Sequence, residues 1–161
     1  MTNFLNPEDY PFLNEIKNAF PTILQEYNSV SLNPQKWIEA NLHNGNWEVI
    51  GFKYEGKDFN DAKNLFPKTN KIFESLKDKL YTCGFSIMRS GCEIYEHENH
   101  NHDVLRCHLC LTTNENCALV VNGEARNWNV GELLLFDDTN RHSAYNRGTS
   151  DRVIVLFDFY K

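Results

Sequence analysis

The second half of the chain consists of short apolar runs that alternate with turn-forming residues. From Tyr81 onward the runs FSIM, VLRCHLCL, ALVV, ELLLF and RVIVLFDFY are separated by the polar segments RSG, TNEN, NGE and DDTN. Short runs rich in branched and aromatic side chains, repeated at spacings of roughly ten residues, are typical of strands in a sandwich or barrel. The pair Asn122 and Gly123 favours a tight hairpin turn. The sequence therefore predicts a β-rich core over residues 81–161.

The first half has the spacing of helices, interrupted by one extended segment. Apolar residues recur at helical intervals over Tyr10–Tyr27, where Pro21 predicts a break into two pieces. Pro34–Leu42 is predicted to be a short helix with a proline near its start. The segment Asn46–Gly56 predicts a strand or hairpin closed by Glu55 and Gly56, and Thr69–Leu80 predicts an amphipathic helix. We expect these helices, over residues 1–80, to pack on the outside of the β core.

Length, charge and cysteine content narrow the class of protein. A chain of 161 residues with 41% hydrophobic side chains predicts a single domain over residues 1–161. The net charge of -6 argues against a protein that binds nucleic acid through its phosphates. The longest apolar runs are far shorter than the roughly 20 residues of a transmembrane helix, so we expect no membrane span. Five cysteines and a start without signal-peptide character predict a cytoplasmic protein, and the oligomeric state stays open.

The segment from Cys92 to Cys110 is unusually rich in metal-binding residue types, with four histidines and three cysteines. Side chains alternate along a strand, so Arg106, His108 and Cys110 are predicted to face one side and Cys107 the other. This sidedness argues against a structural zinc site built on the two neighbouring cysteines. The polar stretch that holds His100 and His102 is typical of an exposed loop.

Two other histidines stand at the ends of predicted strands. His97 follows the run FSIMRSGCEIYE, and His142 opens the strand after the turn that contains Asp137 and Asp138. In a closed sheet, histidines on different strands can converge on one metal ion, and a buried arginine such as Arg152 needs an anion. Either aspartate is a turn former or a group that orients an imidazole.

These residues together resemble the aspartyl/asparaginyl β-hydroxylase family of iron(II)- and 2-oxoglutarate-dependent oxygenases. The resemblance covers about residues 47–160 and rests on His97, on Arg106 and His108 in LRCHL, on His142 after GELLLFDDTNR, and on Arg152. It implies a mainly β fold with flanking helices around a double-stranded β-helix of jelly-roll, cupin-like type. It also implies that His97 and His142 bind Fe(II) and that Arg152 pairs with the distal carboxylate of 2-oxoglutarate.

The resemblance extends to the segment before the first histidine, with some departures. Ser86 and Met88 in GFSIM would border the cosubstrate, as would His108. Glu96 stands where members often have proline, and Asn99 stands where the broader oxygenase class has a third, carboxylate ligand. The third metal position is then left to water or to a group such as Asp103.

The implied reaction consumes 2-oxoglutarate and O2, forms succinate and CO2, and hydroxylates an unactivated carbon. We expect the substrate to be an amino acid, an amino-acid-derived small molecule, or an Asp or Asn residue in a peptide. Arg106 is a candidate for binding the cosubstrate or an acidic substrate group, unless it forms a salt bridge inside the barrel. Two alternatives stay open: a cupin-like metal enzyme that does not use 2-oxoglutarate, and a metal-free or zinc-holding binding module.

Overall fold

The computed structural model describes residues 2–161. It contains four α-helices, α1 (Leu13–Asn18), α2 (Phe20–Ser29), α3 (Asn60–Leu65) and α4 (Pro67–Ser75), and short 3-10 helices at Pro7–Asp9 and Ala40–Leu42. The strands are β1 (Gln35–Lys36), β2 (Trp47–Tyr54), β3 (Lys57–Asp58), β4 (Leu80–Met88), β5 (Glu93–His97), β6 (Val104–Thr112), β7 (Cys117–Val121), β8 (Glu124–Arg126), β9 (Leu133–Phe136), β10 (His142–Asn146) and β11 (Arg152–Tyr160).

The strands form two antiparallel sheets. The larger sheet has the order β1-β2-β4-β11-β6-β9, with β3 paired to β2, and the smaller sheet has the order β5-β10-β7-β8. From β4 onward consecutive strands alternate between the sheets, except for the β7–β8 hairpin within the smaller sheet, in the pattern of a jelly roll. The predicted double-stranded β-helix with flanking helices is confirmed.

The strands of the larger sheet carry a different apolar layer on each face. Cys107 and Leu109 of β6 pack in the cluster that contains the buried residues of α1, α2 and α4. Cys110 of β6 packs in a second cluster with Leu119 and Ala144 of the smaller sheet. The predicted alternation along β6 is confirmed, and the helices cover the outer face of the larger sheet.

Two predicted turns are confirmed by their backbone angles. Asn122 and Gly123 have φ of 46° and 83°, and Glu55 and Gly56 have φ of 48° and 79°. Two successive residues at positive φ form the turn that suits the twist of a β-hairpin. These turns join β7 to β8 and β2 to β3.

The predicted helix over Pro34–Leu42 is wrong. Gln35 and Lys36 pair with β2 as strand β1, and only Ala40–Leu42 is helical. The indole of Trp37 stacks on that of Trp47 with 4.5 Å between ring centroids, and the Trp37 backbone N–H donates to the Trp47 carbonyl at 3.0 Å. These contacts across the sheet hold the segment extended against its local propensity.

The remaining helical predictions need smaller corrections. The break near Pro21 is confirmed, with Ala19 between α1 and α2 and the proline in the first turn of α2. The predicted helix over Thr69–Leu80 begins earlier, at Pro67, and ends at Ser75, since Leu80 opens β4. Helix α3 was not predicted.

In the part of the chain that the structure describes, no helix has both the length and the apolar character needed to cross a membrane. All five cysteines are buried and free.

A buried carboxylate joins α2 to the start of α4. The two oxygens of Glu26 accept hydrogen bonds from the backbone N–H groups of Lys68 and Thr69, both at 2.8 Å. Pro67 has no N–H, so the first-turn donors of α4 are satisfied by one side chain. A negative charge at a helix N-terminus is also favourable.

We predict that Glu26→Gln lowers the free energy of unfolding by about 1–2 kcal/mol, because the amide loses the charge and one acceptor oxygen. Urea denaturation measures the change. Glu115→Gln, in an exposed loop, is the control and should have no effect. Equal stability of the two variants would show that the cap contributes nothing.

Candidate active site

Two histidines face each other across neighbouring strands of the smaller sheet. His142 lies opposite His97 in the register of β10 and β5, and their ring centroids are 4.3 Å apart. The Nδ1 atom of His97 lies 2.7 Å from the carbonyl oxygen of Tyr95, and Nδ1 of His142 lies 2.8 Å from that of Asn140. Because a carbonyl only accepts, each Nδ1 carries the proton, and each Nε2 lone pair is left for a metal ion.

The His142 imidazole is uncharged at neutral pH, as a metal ligand must be. Burial lowers the pKa of His142 to about 4. His97 is half-buried, at the mouth of the site. In the described residues no third histidine, cysteine or carboxylate completes a metal-binding group with them, and Asp103 lies in an exposed turn. The pair therefore suits an ion whose other positions are taken by ligands from outside the protein.

Arg152, at the start of β11, is a buried cation without a carboxylate partner. Its side chain is buried, and no ion pair among residues 2–161 includes it. One terminal nitrogen lies 3.2 Å from the Ser86 hydroxyl, the guanidinium carbon lies 4.6 Å from the ring centre of Trp128, and Nε has no partner. Burial lowers the pKa of Arg152 to about 10, so it stays cationic at neutral pH. A buried, unpaired charge is costly, and an anion would offset that cost.

His108 faces the same pocket with one ring nitrogen fixed. The Nε1–H of Trp128 donates to Nδ1 of His108 at 3.1 Å, so Nδ1 is an acceptor and the proton lies on Nε2. That Nε2 is buried and has no partner in the described structure. Burial holds the pKa of His108 well below its usual value, so the ring is neutral. His108 therefore presents an unused N–H donor.

Ser86 supplies a further donor. Its hydroxyl oxygen accepts from Nε1–H of Trp47 at 2.9 Å and from Arg152 at 3.2 Å, which leaves its own O–H for a ligand. Met88, two residues on, lies opposite Arg152 in the register of β4 and β11. The predicted site residues thus line one narrow pocket: His97, His142, His108, Arg152, Ser86, Met88 and Arg106.

Apart from the two metal-facing nitrogens, the pocket offers three unused donors, from Arg152, His108 and Ser86. A guanidinium, an imidazole N–H and a hydroxyl point to a ligand that carries acceptors and negative charge, such as a carboxylate. The residues present therefore fit a metal ion together with a carboxylate-bearing acid.

Arg106 forms the interior salt bridge that the sequence left open as an alternative. Its guanidinium donates to both oxygens of Asp158 at 2.7 and 2.9 Å and lies 3.3 Å from Asp138. Burial opposes the charge, but the neighbouring carboxylate of Asp158 raises the pKa of Arg106. Because its charge is already paired, nothing in these contacts supports the substrate-binding role predicted for Arg106. The residue forms part of the pocket wall.

The two aspartates before His142 have different roles. Asp137 is the expected turn former, since it accepts from the N–H and hydroxyl of Thr139 at 3.0 and 2.6 Å. Asp138 lies in the same turn, but its side chain is directed to other partners. It is fully buried, and its carboxylate accepts at 2.6 Å from the amide of Asn99, the residue at the position of the missing ligand carboxylate.

Sequence reasoning missed the residues that hold the site together. Trp128 fixes His108 and covers Arg152, and Asp158 pairs with Arg106. Asp158 could have been found from the alternation of side chains along β11, which places it on the same face as Arg152, six residues earlier. No comparable signal marks Trp128, which lies in a loop between β8 and β9.

The fold and the two-histidine pocket define a jelly-roll protein with a candidate metal site. A solved structure with a similar fold is an oxidoreductase of the 2OG-Fe(II) oxygenase family from Burkholderia pseudomallei, with a TM-score of 0.60, 11% identity, and coverage of 87% of this chain and 77% of that one. The chain belongs to the aspartyl/asparaginyl beta-hydroxylase family, whose model matches residues 17–161. The family predicted from the sequence is confirmed.

Two curated relatives illustrate the range of the family. Aspartate beta-hydroxylase domain-containing protein 2 of Mus musculus is 31% identical over 149 residues, which are 88% of this chain and 43% of the relative. The ornithine lipid ester-linked acyl 2-hydroxylase of Rhizobium tropici is 27% identical over 168 residues, covering 94% of this chain and 58% of that protein. The chain thus spans less than two thirds of the length of either relative.

We predict opposite stability effects for the two buried arginines. Arg152→Met removes an unpaired charge, so the free energy of unfolding of the ligand-free protein should stay the same or rise by up to about 4 kcal/mol. Arg106→Met leaves Asp158 buried and unpaired, so it should lower that free energy by about 3–5 kcal/mol. Denaturant unfolding of both variants tests this, and equal destabilisation would contradict the assignment of Arg152 as unpaired.

We also predict the tautomers of the three site histidines. Nitrogen-15 NMR of the metal-free protein at pH 7 should show protonated Nε2 for His108 and protonated Nδ1 for His97 and His142. Trp128→Phe removes the donor and should turn His108 into a mixture of tautomers. Trp37→Phe is the control: it changes a tryptophan that stacks on Trp47 and should leave the His108 tautomer unchanged. A protonated Nδ1 on His108 in the wild type would refute the hydrogen bond with Trp128.

Proposed function

We propose that this protein is a hydroxylase that depends on Fe(II) and 2-oxoglutarate. One observation carries the proposal: two imidazoles with free Nε2 atoms share a pocket with a buried, unpaired Arg152. The family and the oxygenase-like fold support a hydroxylase in general. The dependence on this metal and this cosubstrate is the proposed part.

In this proposal His97 and His142 hold the iron through Nε2. Arg152 and Ser86 bind the far carboxylate of 2-oxoglutarate, with the guanidinium supplying charge and the hydroxyl supplying a further donor. His108 donates its Nε2–H to the carboxylate at the metal end. When bound, iron with 2-oxoglutarate and O2 supplies the oxidation that yields succinate and CO2 and places a hydroxyl group on a substrate carbon.

Arg152 also separates this function from the cupin-like alternative. A metal enzyme of the same fold that uses no 2-oxo acid has no need of an unpaired cation beside its metal. For the substrate, the predicted classes stand as proposals: an amino acid, an amino-acid-derived molecule, or an Asp or Asn residue in a peptide. The name of the Rhizobium tropici relative adds an acyl chain to these possibilities.

We predict that two substitutions separate the two ligands. His142→Ala should abolish binding of Fe(II), because one imidazole of two is lost. Arg152→Met should retain Fe(II) but weaken binding of 2-oxoglutarate by a factor of about 30 or more, since truncating one partner of a buried charge pair costs about 2–5 kcal/mol. Both variants should fail to form succinate from 2-oxoglutarate under air with ascorbate, across a panel of amino acids and peptides containing Asp or Asn.

Matched controls keep this test specific. His100→Ala and Arg147→Met change an exposed histidine and an exposed arginine, and both should turn over 2-oxoglutarate like the wild type. Folded, iron-loaded wild type that neither binds nor consumes 2-oxoglutarate would overturn the proposal.

A further inference from the structure

Residues 2–5 bridge the edge strands of the two sheets, and we call this segment the strap. The Leu5 backbone N–H donates to the carbonyl oxygen of Leu135 at 2.8 Å, which attaches the strap to β9, at one edge of the larger sheet. The Asn3 backbone N–H donates to the carboxylate of Glu124 at 2.6 Å, which attaches it to β8, at one edge of the smaller sheet. The strap therefore lies across one side of the jelly roll.

Phe4 is the residue of the strap that enters the apolar interior. Its side chain is 3% exposed and belongs to the apolar cluster that also contains Trp128 and Phe136 of the candidate site. The exposed Arg126 lies over it, with 4.6 Å between the guanidinium carbon and the ring centre, and donates to the hydroxyl of Thr2 at 2.8 Å. Contacts at the surface thus hold Phe4 in the interior.

Phe136 joins the strap to the site. Its ring centroid lies 6.4 Å from that of Phe4 and 5.4 Å from those of both His108 and His142. Both imidazoles meet the Phe136 ring edge to face, an arrangement whose energy depends on the relative orientation of the rings. Phe136 is buried and lines the pocket, whereas Phe4 lies outside the pocket lining. Phe4 therefore supports a ring that touches two of the three site histidines.

The strand that carries Phe136 has little support from its own sheet. Strand β9 has four residues and pairs within the sheet with β6, and on its other side it meets Leu5 of the strap. The strands that carry Ser86, Arg152 and His108 lie inside the sheet and pair on both sides. A short edge strand opens more easily than the strands inside a sheet. The strap thus constrains a wall of the site that the sheet holds weakly.

The strap lies outside the part of the chain that the family model matches, which begins at residue 17. The site residues all lie inside the matched part. The support that Phe4 gives to Phe136 is therefore a feature of this chain that membership of the family does not supply.

We propose that Phe4 is a positioning residue for the metal and cosubstrate site. By packing on Phe136, it holds the imidazole of His142 with its Nε2 lone pair towards the metal, and that of His108 with its Nε2–H towards the cosubstrate. A site keeps its geometry only when packing locks the side chains that form it. The inference rests on the proposed function for the ligands that it names, but the contacts themselves are made by protein groups alone.

The first test is NMR of the metal-free protein. Phe4→Ala leaves space beside Phe136, so that ring gains freedom, and the side-chain signals of His108 and His142 should shift or broaden. Phe12→Ala is the matched control, because Phe12 also packs on a strand phenylalanine and lies under a cation, but on the helical side of the larger sheet. It should leave both histidine signals unchanged.

The second test is calorimetric titration with Mn(II), a redox-stable substitute for iron. Phe4→Ala should weaken binding of Mn(II) by about tenfold or more, because the groups that orient a metal ligand affect affinity on this scale. Phe4→Leu refills most of the space and should restore most of that affinity. Phe12→Ala should bind Mn(II) like the wild type.

Arg126→Met keeps the test valid if Phe4→Ala does not fold, because it loosens the strap at the surface without emptying the interior. It should shift the same two histidine signals by a smaller amount, and unchanged signals there would overturn the proposal. Unchanged histidine signals and Mn(II) affinity in Phe4→Ala, or equal losses in Phe4→Ala and Phe12→Ala, would also overturn it. Wild type that binds no Mn(II) refutes the proposed function instead, and the histidine signals of the metal-free protein then decide the role of Phe4.

Discussion

The register of β11 between β4 and β6 holds the candidate site in place. Every residue of β11 except the last is buried, and each pairs into one neighbouring strand or both. This pairing sets Arg152 opposite Met88, Leu156 opposite His108, and Asp158 opposite Arg106. A slip of one residue would turn the arginine towards the apolar core beneath the helices. Burying the charge of Arg152 in that core would be costly, so the register is strongly favoured. One strand thereby positions both Arg152 and the Arg106–Asp158 pair in the pocket wall.

The two buried arginines of this face differ in role: one stabilises the fold, and the other is available to a ligand. Arg106 has a bidentate carboxylate partner within the fold, whereas Arg152 has only a hydroxyl and an aromatic ring. The first completes the wall of the pocket. The second keeps a charge unpaired at a cost in stability, which is the usual sign that a site is adapted to its ligand and not to the ligand-free fold.

Much of the fold was predictable because its signals are local. Alternation along β6 placed Arg106 and His108 on the face opposite Cys107, and the strand-end positions of His97 and His142 led to their convergence. What failed depended on contacts between distant residues. The stacking of Trp37 against β2 overrides a helical pattern.

Other misses have the same origin. The carboxylate of Asp138 accepts from the amide of Asn99, 39 residues away, and no pattern within the turn reveals that contact. Likewise, the hydrogen bond from Trp128 to His108 joins a loop to a strand 20 residues away. These partners become visible only when the strands are in register.

The most direct test of the central claim is an anaerobic titration of 2-oxoglutarate into the protein loaded with Mn(II) as a redox-stable substitute for iron. The account predicts one binding site per chain that requires both the metal and the guanidinium of Arg152. Binding that is equally tight without metal and in Arg152→Met, or no binding to the metal-loaded wild type, would contradict it.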